Sequence, residues 1–145
     1  MRLAIACDHA ALSYKERLRD LLRGAGHQVT DCGTDSTASC DYPDFAQAAC
    51  RLVQSGECDR AVLICGTGIG MSIAANKMTG IRCALVHSVE TARLAAAHNR
   101  AQALAMGARV IELATAWSCV QTWLAEPFEE RHQRRLDKIA ALEQH

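Results

Sequence analysis

The chain has 145 residues, half of them hydrophobic, and its 16 basic and 16 acidic side chains balance to a formal net charge of zero. This length predicts a single domain over 1–145 with a hydrophobic core. The neutral charge argues against binding to nucleic acid or to an anionic membrane surface. The sequence lacks the roughly 18-residue apolar run of a membrane span and the pattern of a signal peptide. We therefore expect a cytoplasmic protein whose eight cysteines are reduced thiols.

Predicted strands and helices alternate along the whole chain, judged from hydrophobic periodicity and from glycine and proline signals. The first half is predicted to contain a strand over 2–7, an amphipathic helix stopped by Gly24–Gly26, a strand over 27–32, a polar loop over 33–43 and a helix over 45–54 capped by Asp44. The second half is predicted to contain strands over 61–64, 82–87 and 103–106, and helices over 71–77, from the Ser88 cap to 97, over 115–125 and from Pro127 onward. This alternation predicts an α/β fold, a three-layer sandwich with a five-stranded parallel sheet and helices on both faces.

A glycine-rich turn joins the third strand to the third helix. Its residues are Cys65, Gly66, Thr67, Gly68, Ile69 and Gly70. The glycines let the backbone approach a ligand closely, and the following helix directs its N–H groups at the same place. The turn is not a dinucleotide-binding fingerprint, because Ile73 stands where that motif needs glycine, and Lys77 comes too late for a P-loop.

Polar residues also follow other predicted strands. Asp8 and His9 follow the first strand, and Arg109 comes just past the fifth. Ligands of parallel sheets bind at the carboxyl ends of the strands, so these side chains and Cys65 are expected to share one site.

Together these segments resemble the type B ribose-5-phosphate isomerases, a family that also includes the galactose-6-phosphate isomerase subunits. The matching segments occur in the family's order and cover nearly the whole chain. They are Cys7-Asp8-His9 with Lys15, Asp41-Tyr42-Pro43, Ile64 to Gly70, Ala74 to Lys77, Gly80 to Arg82, Thr91 to Arg93, His98-Asn99, Gly107 to Val110, and Arg131-His132 with Arg135.

The resemblance implies a Rossmann-like fold and a phosphorylated sugar as substrate, with neither a metal nor an organic cofactor. It also implies a homodimer whose active sites draw residues from both subunits, with the C-terminal helix at the interface. Whether dimers pair into a tetramer is left open.

The resemblance also assigns roles to single residues. Cys65 would be the proton-transferring base, and His98 would open the sugar ring with help from Asp8. Thr67 could donate a hydrogen bond from its hydroxyl. The phosphate would be bound by His9, Arg109, Arg131 and Arg135. The sugar would be contacted by Tyr42, Asn99, Gly66, Thr67, Gly68, Ile69 and Gly70.

The chemistry of aldose–ketose interconversion fits these assignments. One base moves a proton between neighbouring carbons through a cis-enediolate, and a thiolate at a helix N-terminus can serve. Backbone N–H groups of the glycine turn would stabilise the enediolate oxygen. Arg131 and Arg135 are four residues apart, so on one helix they would share a face and could grip a phosphate.

Two departures from the family bear on the substrate. Arg100 follows His98-Asn99 where the family typically has aspartate or asparagine, and the segment before Arg131 is one residue shorter and lacks two glycines. Ribose 5-phosphate is the best-supported sugar, with allose, galactose or tetrulose phosphates as alternatives. Two other classes are a non-catalytic sugar-phosphate-binding subunit and a nucleotide-binding or flavodoxin-like module.

Overall fold

The computed structural model describes residues 1–143. Its strands are β1 (Arg2–Cys7), β2 (Gln28–Asp31), β3 (Arg60–Cys65), β4 (Cys83–Leu85) and β5 (Ala103–Gly107). Its helices are α1 (Leu12–Gly24), α2 (Tyr42–Gln54), α3 (Ile69–Asn76), α4 (Val89–Ala97), α5 (Leu113–Ala125) and α6 (Gln133–Ala141), with short 3₁₀ turns at His9–Ala11 and Glu130–His132. Each of these described helices is too short or too polar to span a bilayer.

The five strands form one parallel sheet in the order β2-β1-β3-β5-β4. This confirms the predicted α/β fold. The chain leaves β1 toward β2 at one edge and then returns to β3 on the other side of β1, so β1 and β3 flank the topological switch point. The backbone N–H of Asp8 donates to the carbonyl of Ile64 across this point, at 3.2 Å. Crevices at such points are where open α/β sheets bind ligands.

The two faces of the sheet carry side chains of different size. Large residues such as Leu3, Ile5 and Ile64 pack toward α1, α4 and α5. The alternate positions, such as Ala4 and Ala61, pack against α2 and α3. This period of two is the signature of strands buried on both faces, and the small side chains leave α2 and α3 close to the sheet.

The prediction that Pro127 begins the last helix is wrong. Residues 127–129 are not helical, and the backbone N–H of Glu129 bonds to the carbonyl of Ala97 at 2.9 Å. That bond ties the segment to the end of α4, so α6 begins only at Gln133.

Several other boundaries also differ from the prediction. Helix α2 begins at Tyr42, with Pro43 in its first turn, where proline is favoured. Asp44 is therefore a first-turn acid and not the cap. Strand β4 is shorter than 82–87, since only three residues pair with β5. The predicted cap at Ser88 is confirmed, because its side chain accepts a hydrogen bond from the N–H of Thr91.

Candidate active site

Cys65 ends β3 beside the switch point and is 5% exposed. The backbone N–H of Gly68 donates to its Sγ at 3.1 Å. Gly68 has φ +81°, a left-handed conformation that turns the backbone so that its N–H points back at the sulfur. Helix α3 starts at the next residue. A thiolate is stabilised by such a donor and by the positive end of a helix.

The eight cysteines are all free thiols, and most pack in the protein interior. Burial raises the pKa of Cys7 and of Cys83 to about 12, and that of Cys50 to about 11. These thiols stay protonated near neutral pH and act as small apolar residues. Cys65 differs from Cys50 and Cys83 in having a backbone N–H directed at its sulfur.

Asp8 and His9 lie where β1 ends. Asp8 is 8% exposed, and its Oδ1 accepts the N–H of Ala10 at 3.0 Å, which caps the first 3₁₀ turn. His9 Nδ1 accepts the N–H of Cys40 at 3.2 Å. A neutral His9 therefore carries its proton on Nε2, where it can donate to a ligand.

The segment after β5 runs beside the glycine turn. Ala108 and Arg109 donate their N–H groups to the carbonyls of Cys65 and Gly66, at 2.9 and 3.0 Å. A Cβ on Gly66 would lie 3.2 Å from Nη1 of Arg109, so the absence of a side chain there lets the guanidinium lie against the turn. The hydroxyl of Thr67 is at the surface and accepts the N–H of Ile69 at 3.2 Å.

Tyr42 completes this edge from the first turn of α2. Its ring lies against Gly70, where any side chain on α3 would collide with it. Ten of the predicted site residues thus lie at the carboxyl edge of the sheet or on the helix starts beside it. They are Asp8, His9, Tyr42, Cys65, Gly66, Thr67, Gly68, Ile69, Gly70 and Arg109.

The other four predicted site residues lie at the opposite edge of the sheet. His98 and Asn99 follow the end of α4, and the carbonyl of Asn99 accepts a hydrogen bond from Arg82 Nε. The chain then enters β5 beside the start of β3, where Ala61 bonds to Gln102. Because β3 has six residues and a strand rises about 3.3 Å per residue, roughly 16 Å of strand separates this edge from Cys65.

Arg131 and Arg135 share this edge but not one helix, so that part of the prediction is wrong. Arg131 lies in the 3₁₀ turn and Arg135 in α6. Arg131 Nη2 donates to Glu129 Oε2 at 2.7 Å, and Arg135 Nη1 lies 2.9 Å from His132 Nδ1. Both arginines still border one cluster of side chains.

That cluster is built by His98, Glu129 and His132. The two Nε2 atoms lie 3.8 and 3.5 Å from Glu129 Oε2, and the imidazole rings are 4.3 Å apart. Neither Glu129 nor His132 is among the site residues predicted from the sequence. Their i, i+3 spacing was a weak signal, because the segment was predicted to be regular helix and its contact with α4 is not visible in the sequence.

The same three side chains are the one group within residues 1–143 that could hold a metal ion, since their donor atoms all lie within 4.8 Å of one another. Two His nitrogens and a carboxylate are suitable ligands for Zn²⁺. However, Arg131 and Arg135 already contact Glu129 and His132, and their positive charges oppose a divalent cation.

Arg100 lies beside this cluster. It has φ +44°, a left-handed conformation in which asparagine and aspartate are enriched. Its guanidinium carbon lies 5.5 Å from the centre of the Phe128 ring, within cation–π distance. Arg100 thus packs against the non-helical segment before α6.

Known proteins match this chain along almost its full length. The model of the Ribose/Galactose Isomerase family matches residues 3–139. Ribose-5-phosphate isomerase B of Escherichia coli is 41% identical, over 99% of this chain and 97% of its own. The solved ribose-5-phosphate isomerase B of Clostridium thermocellum is 44% identical with a TM-score of 0.97, covering 99% of this chain and 97% of that one. That of Mycoplasma genitalium, solved with bound ribulose-5-phosphate, is 37% identical with a TM-score of 0.93, covering 99% and 97%. The chain therefore belongs to the ribose/galactose isomerase family.

Proposed function

We propose that this chain is an aldose–ketose isomerase that interconverts ribose 5-phosphate and ribulose 5-phosphate as a homodimer. The observation that carries the proposal is the Gly68 N–H directed at Cys65 Sγ, beside the switch point of the sheet. Its membership of the ribose/galactose isomerase family supports the same reaction class.

Cys65 is the base of the proposed reaction. Its thiolate removes the proton from C2 of the open-chain aldose and returns it to C1 through a cis-enediolate. The N–H groups of Gly70 and Met71, in the first turn of α3, have no intrahelical acceptor and can stabilise the enediolate oxygens. The exposed hydroxyl of Thr67 is a further donor beside them.

His98 opens the sugar ring, with Asp8 assisting. Ribose 5-phosphate and other aldopentose 5-phosphates are cyclic in water, so C1 becomes a carbonyl only after the bond to the ring oxygen breaks. This step needs a group that takes up a proton and gives it back, which is the ordinary role of an imidazole.

The phosphate is held by His9, Arg109, Arg131 and Arg135. His9 has Nε2–H available because Cys40 occupies Nδ1. Guanidinium groups match the geometry of phosphate oxygens. Binding the phosphate far from the reacting carbons supplies energy that positions C1 and C2 against Cys65. Tyr42 and Asn99 would contact the part of the sugar that lies between the phosphate and the reacting carbons.

Each active site is completed by a second copy of the chain. Cys65 and His98 lie at opposite edges of the sheet, so one chain presents two half-sites. A two-fold dimer that joins unlike edges makes two equal sites. Exposed apolar side chains flank both half-sites. Ile69 and Ile73 on α3 lie near Cys65, and Ile139 and Leu142 lie at α6, where Leu142 is 72% exposed. Burial of this surface would place α6 at the interface.

Other sugar phosphates are the alternative substrates. The family description names galactose as well as ribose. Each additional carbon adds an ångström or more between the reacting carbons and the phosphate. The segment before Arg131, which lacks two glycines of the related family, sets the position of the arginines. A free thiol in the site fits the reducing cytoplasm, where we place the enzyme.

A panel of four- to six-carbon sugar phosphates, assayed with EDTA present, tests the proposal. We expect ribose 5-phosphate to be the best substrate and Cys65→Ala to lose about 10³-fold or more in kcat. Cys83→Ala is the matched control, because it removes a thiol outside the site and should keep the wild-type rate. A tenfold preference for another sugar, about 1.4 kcal/mol, would overturn the pentose assignment. Full activity of Cys65→Ala would overturn the mechanism.

A further inference from the structure

One carboxylate oxygen near His98, Oε2 of Glu129, faces three side chains that can each donate a hydrogen bond to it. Glu129 Oε2 accepts from Arg131 at 2.7 Å through Nη2 and at 3.0 Å through Nε. The same oxygen faces His132 Nε2 at 3.5 Å and His98 Nε2 at 3.8 Å. The bond to Arg131 holds the pKa of Glu129 below its usual range, so Glu129 is an anion at neutral pH. In this arrangement the carboxylate of Glu129 is hydrogen-bonded to Arg131. The two imidazoles lie farther away and interact with its charge only electrostatically.

His132 shows that the carboxylate is shared unequally. It is 8% exposed, and its Nε2 has no hydrogen-bond partner within the described residues. Arg135 Nη1 can only donate, so His132 Nδ1 accepts and the ring proton is on Nε2, facing Glu129. Burial, and then the charge of Arg131, lowers the pKa of His132 and keeps the ring neutral. A buried donor without a partner is costly, and Glu129 is the acceptor it faces.

A phosphate dianion would compete with Glu129 for Arg131. Arg131 is 66% exposed at its side chain, so an incoming phosphate can reach it. Arginine bonds phosphate oxygens in the same forked geometry that it uses for carboxylates, and a phosphate carries more charge. Once phosphate occupies Nε and Nη2, Glu129 Oε2 loses its two short bonds and is free to accept from the imidazoles.

We propose that Glu129 is an exchangeable positioning residue, which holds Arg131 while the phosphate site is empty and transfers its carboxylate to His98 and His132 when phosphate takes Arg131. This inference rests on the proposed function, in which Arg131 binds phosphate and His98 opens the ring. Glu129 does not touch the substrate. It acts through His98, and it couples occupation of the phosphate site to the first chemical step.

The transfer supports ring opening through the charge on His98. During that step His98 Nδ1 takes the proton of the C1 hydroxyl as the bond from C1 to the ring oxygen breaks, and then returns it to the ring oxygen. Between these two proton transfers the side chain of His98 is an imidazolium, with its Nε2–H directed at Glu129. A carboxylate partner stabilises that cation and orients the ring. Substrate without a phosphate would leave Glu129 on Arg131, and His98 would lack this partner.

Glu129→Gln tests the exchange, because glutamine keeps the shape and removes the charge. Glu130→Gln is the matched control, a neighbouring exposed carboxylate with no role in the proposal. We expect inorganic phosphate, titrated by calorimetry, to bind Glu129→Gln about fivefold more tightly than wild type, because Arg131 is no longer held by an anion. Glu130→Gln should match wild type, and thermal melts verify that both variants are folded.

The direction of the reaction separates positioning from a structural role. Ribose 5-phosphate must be opened, whereas ribulose 5-phosphate is acyclic. We expect kcat of Glu129→Gln to fall about tenfold from the cyclic aldose and less than about twofold from the ketose. Equal losses in both directions, or phosphate affinity unchanged from wild type, would overturn the proposal. If wild type isomerises no pentose phosphate, the proposed function fails instead, and the phosphate titration still decides whether Glu129 competes for Arg131.

Discussion

At the scale of single residues, the site depends on backbones that approach more closely than side chains allow. A Cβ on Gly107 would lie 2.5 Å from the backbone carbon of Thr67. Gly107 ends β5 opposite Cys65 in the sheet. The turn that directs Gly68 N–H at Cys65 therefore keeps its place because residue 107 has no side chain.

Gly107→Ala should distort the turn as well as destabilise the fold. The added methyl meets backbone that cannot rotate away, so we expect a loss of about 2 kcal/mol in the free energy of unfolding. We also expect kcat to fall by about 10²-fold, since a small displacement of Cys65, the proposed base, is costly. Urea unfolding and steady-state kinetics measure the two effects.

Gly24→Ala is the control for this substitution. A Cβ there meets nothing within 4 Å, and the residue ends α1. We expect its stability to change by less than about 1 kcal/mol and its rate to stay at the wild-type value. If Gly107→Ala behaves in the same way, close packing of Gly107 on the turn does not position Cys65.

The sequence predicted the residues of the glycine turn better than the cluster at the other edge. Cys65 to Gly70 are contiguous in sequence, and glycines between a strand and a helix by themselves indicate a turn that can approach a ligand closely. Glu129 gave no comparable signal, because its partner His98 is distant in sequence. Its bond to Arg131 also depends on a turn where helix was predicted.

At the scale of elements, a buried ion network ties α1 to the edge strand β2. Lys15 is 1% exposed, and its Nζ lies 2.7 Å from both carboxylate oxygens of Asp31. Arg19 Nη1 donates to the same carboxylate at 2.9 Å. Burial alone would raise the pKa of Asp31, but the bonds from Lys15, Gly33 and Arg19 outweigh it and lower the pKa below 3.8. The charged pair therefore persists at neutral pH.

Asp31→Asn should destabilise the fold in a pH-dependent way. Removing one partner leaves the buried Lys15 uncompensated, at a cost of about 3 kcal/mol at pH 7. Because the folded-state pKa of Asp31 is lowered, its contribution is present above the unfolded value and is lost as pH falls through the folded value. The difference from wild type should therefore shrink below about pH 4. Urea unfolding at several pH values measures it.

Asp20→Asn is the comparison for this pair. Asp20 also contacts Arg19, but its side chain is 66% exposed. Surface pairs contribute less than about 1 kcal/mol, so this variant should stay close to wild type at every pH. A loss from Asp31→Asn as small as this, or independent of pH, would contradict the account of the network.

Element existence was easier to predict than element ends. The buried strands β1, β3 and β5 were predicted to within one residue at each end. A continuous apolar run that lies between two helical segments is readily recognised as a buried strand. The two prolines carried the same local signal, yet Pro43 lies in the first turn of α2 and Pro127 precedes no helix directly. The bond from Glu129 to Ala97 decides the second case, and it is a tertiary contact.

At the scale of the whole molecule, the parallel sheet separates the proposed chemistry into two half-sites. Helix α4 runs back from the carboxyl edge, so His98 at its end lies at the edge where β3 begins, while Cys65 lies where β3 ends. We expect a second copy of the chain to bring its His98 to Cys65. Two defects in different chains should then complement each other.

Co-expression of differently tagged Cys65→Ala and His98→Asn chains, followed by purification of the mixed dimer, tests this claim most directly. In a shared site, one of the two sites of the mixed dimer receives both wild-type residues. A reciprocal dimer of wild type with a doubly substituted chain should then be inactive, because each of its sites lacks one residue. We predict about half of the wild-type kcat for the first dimer and a background rate for the second. The reverse pattern would contradict the account, since it would mean that Cys65 and His98 of one chain serve the same site.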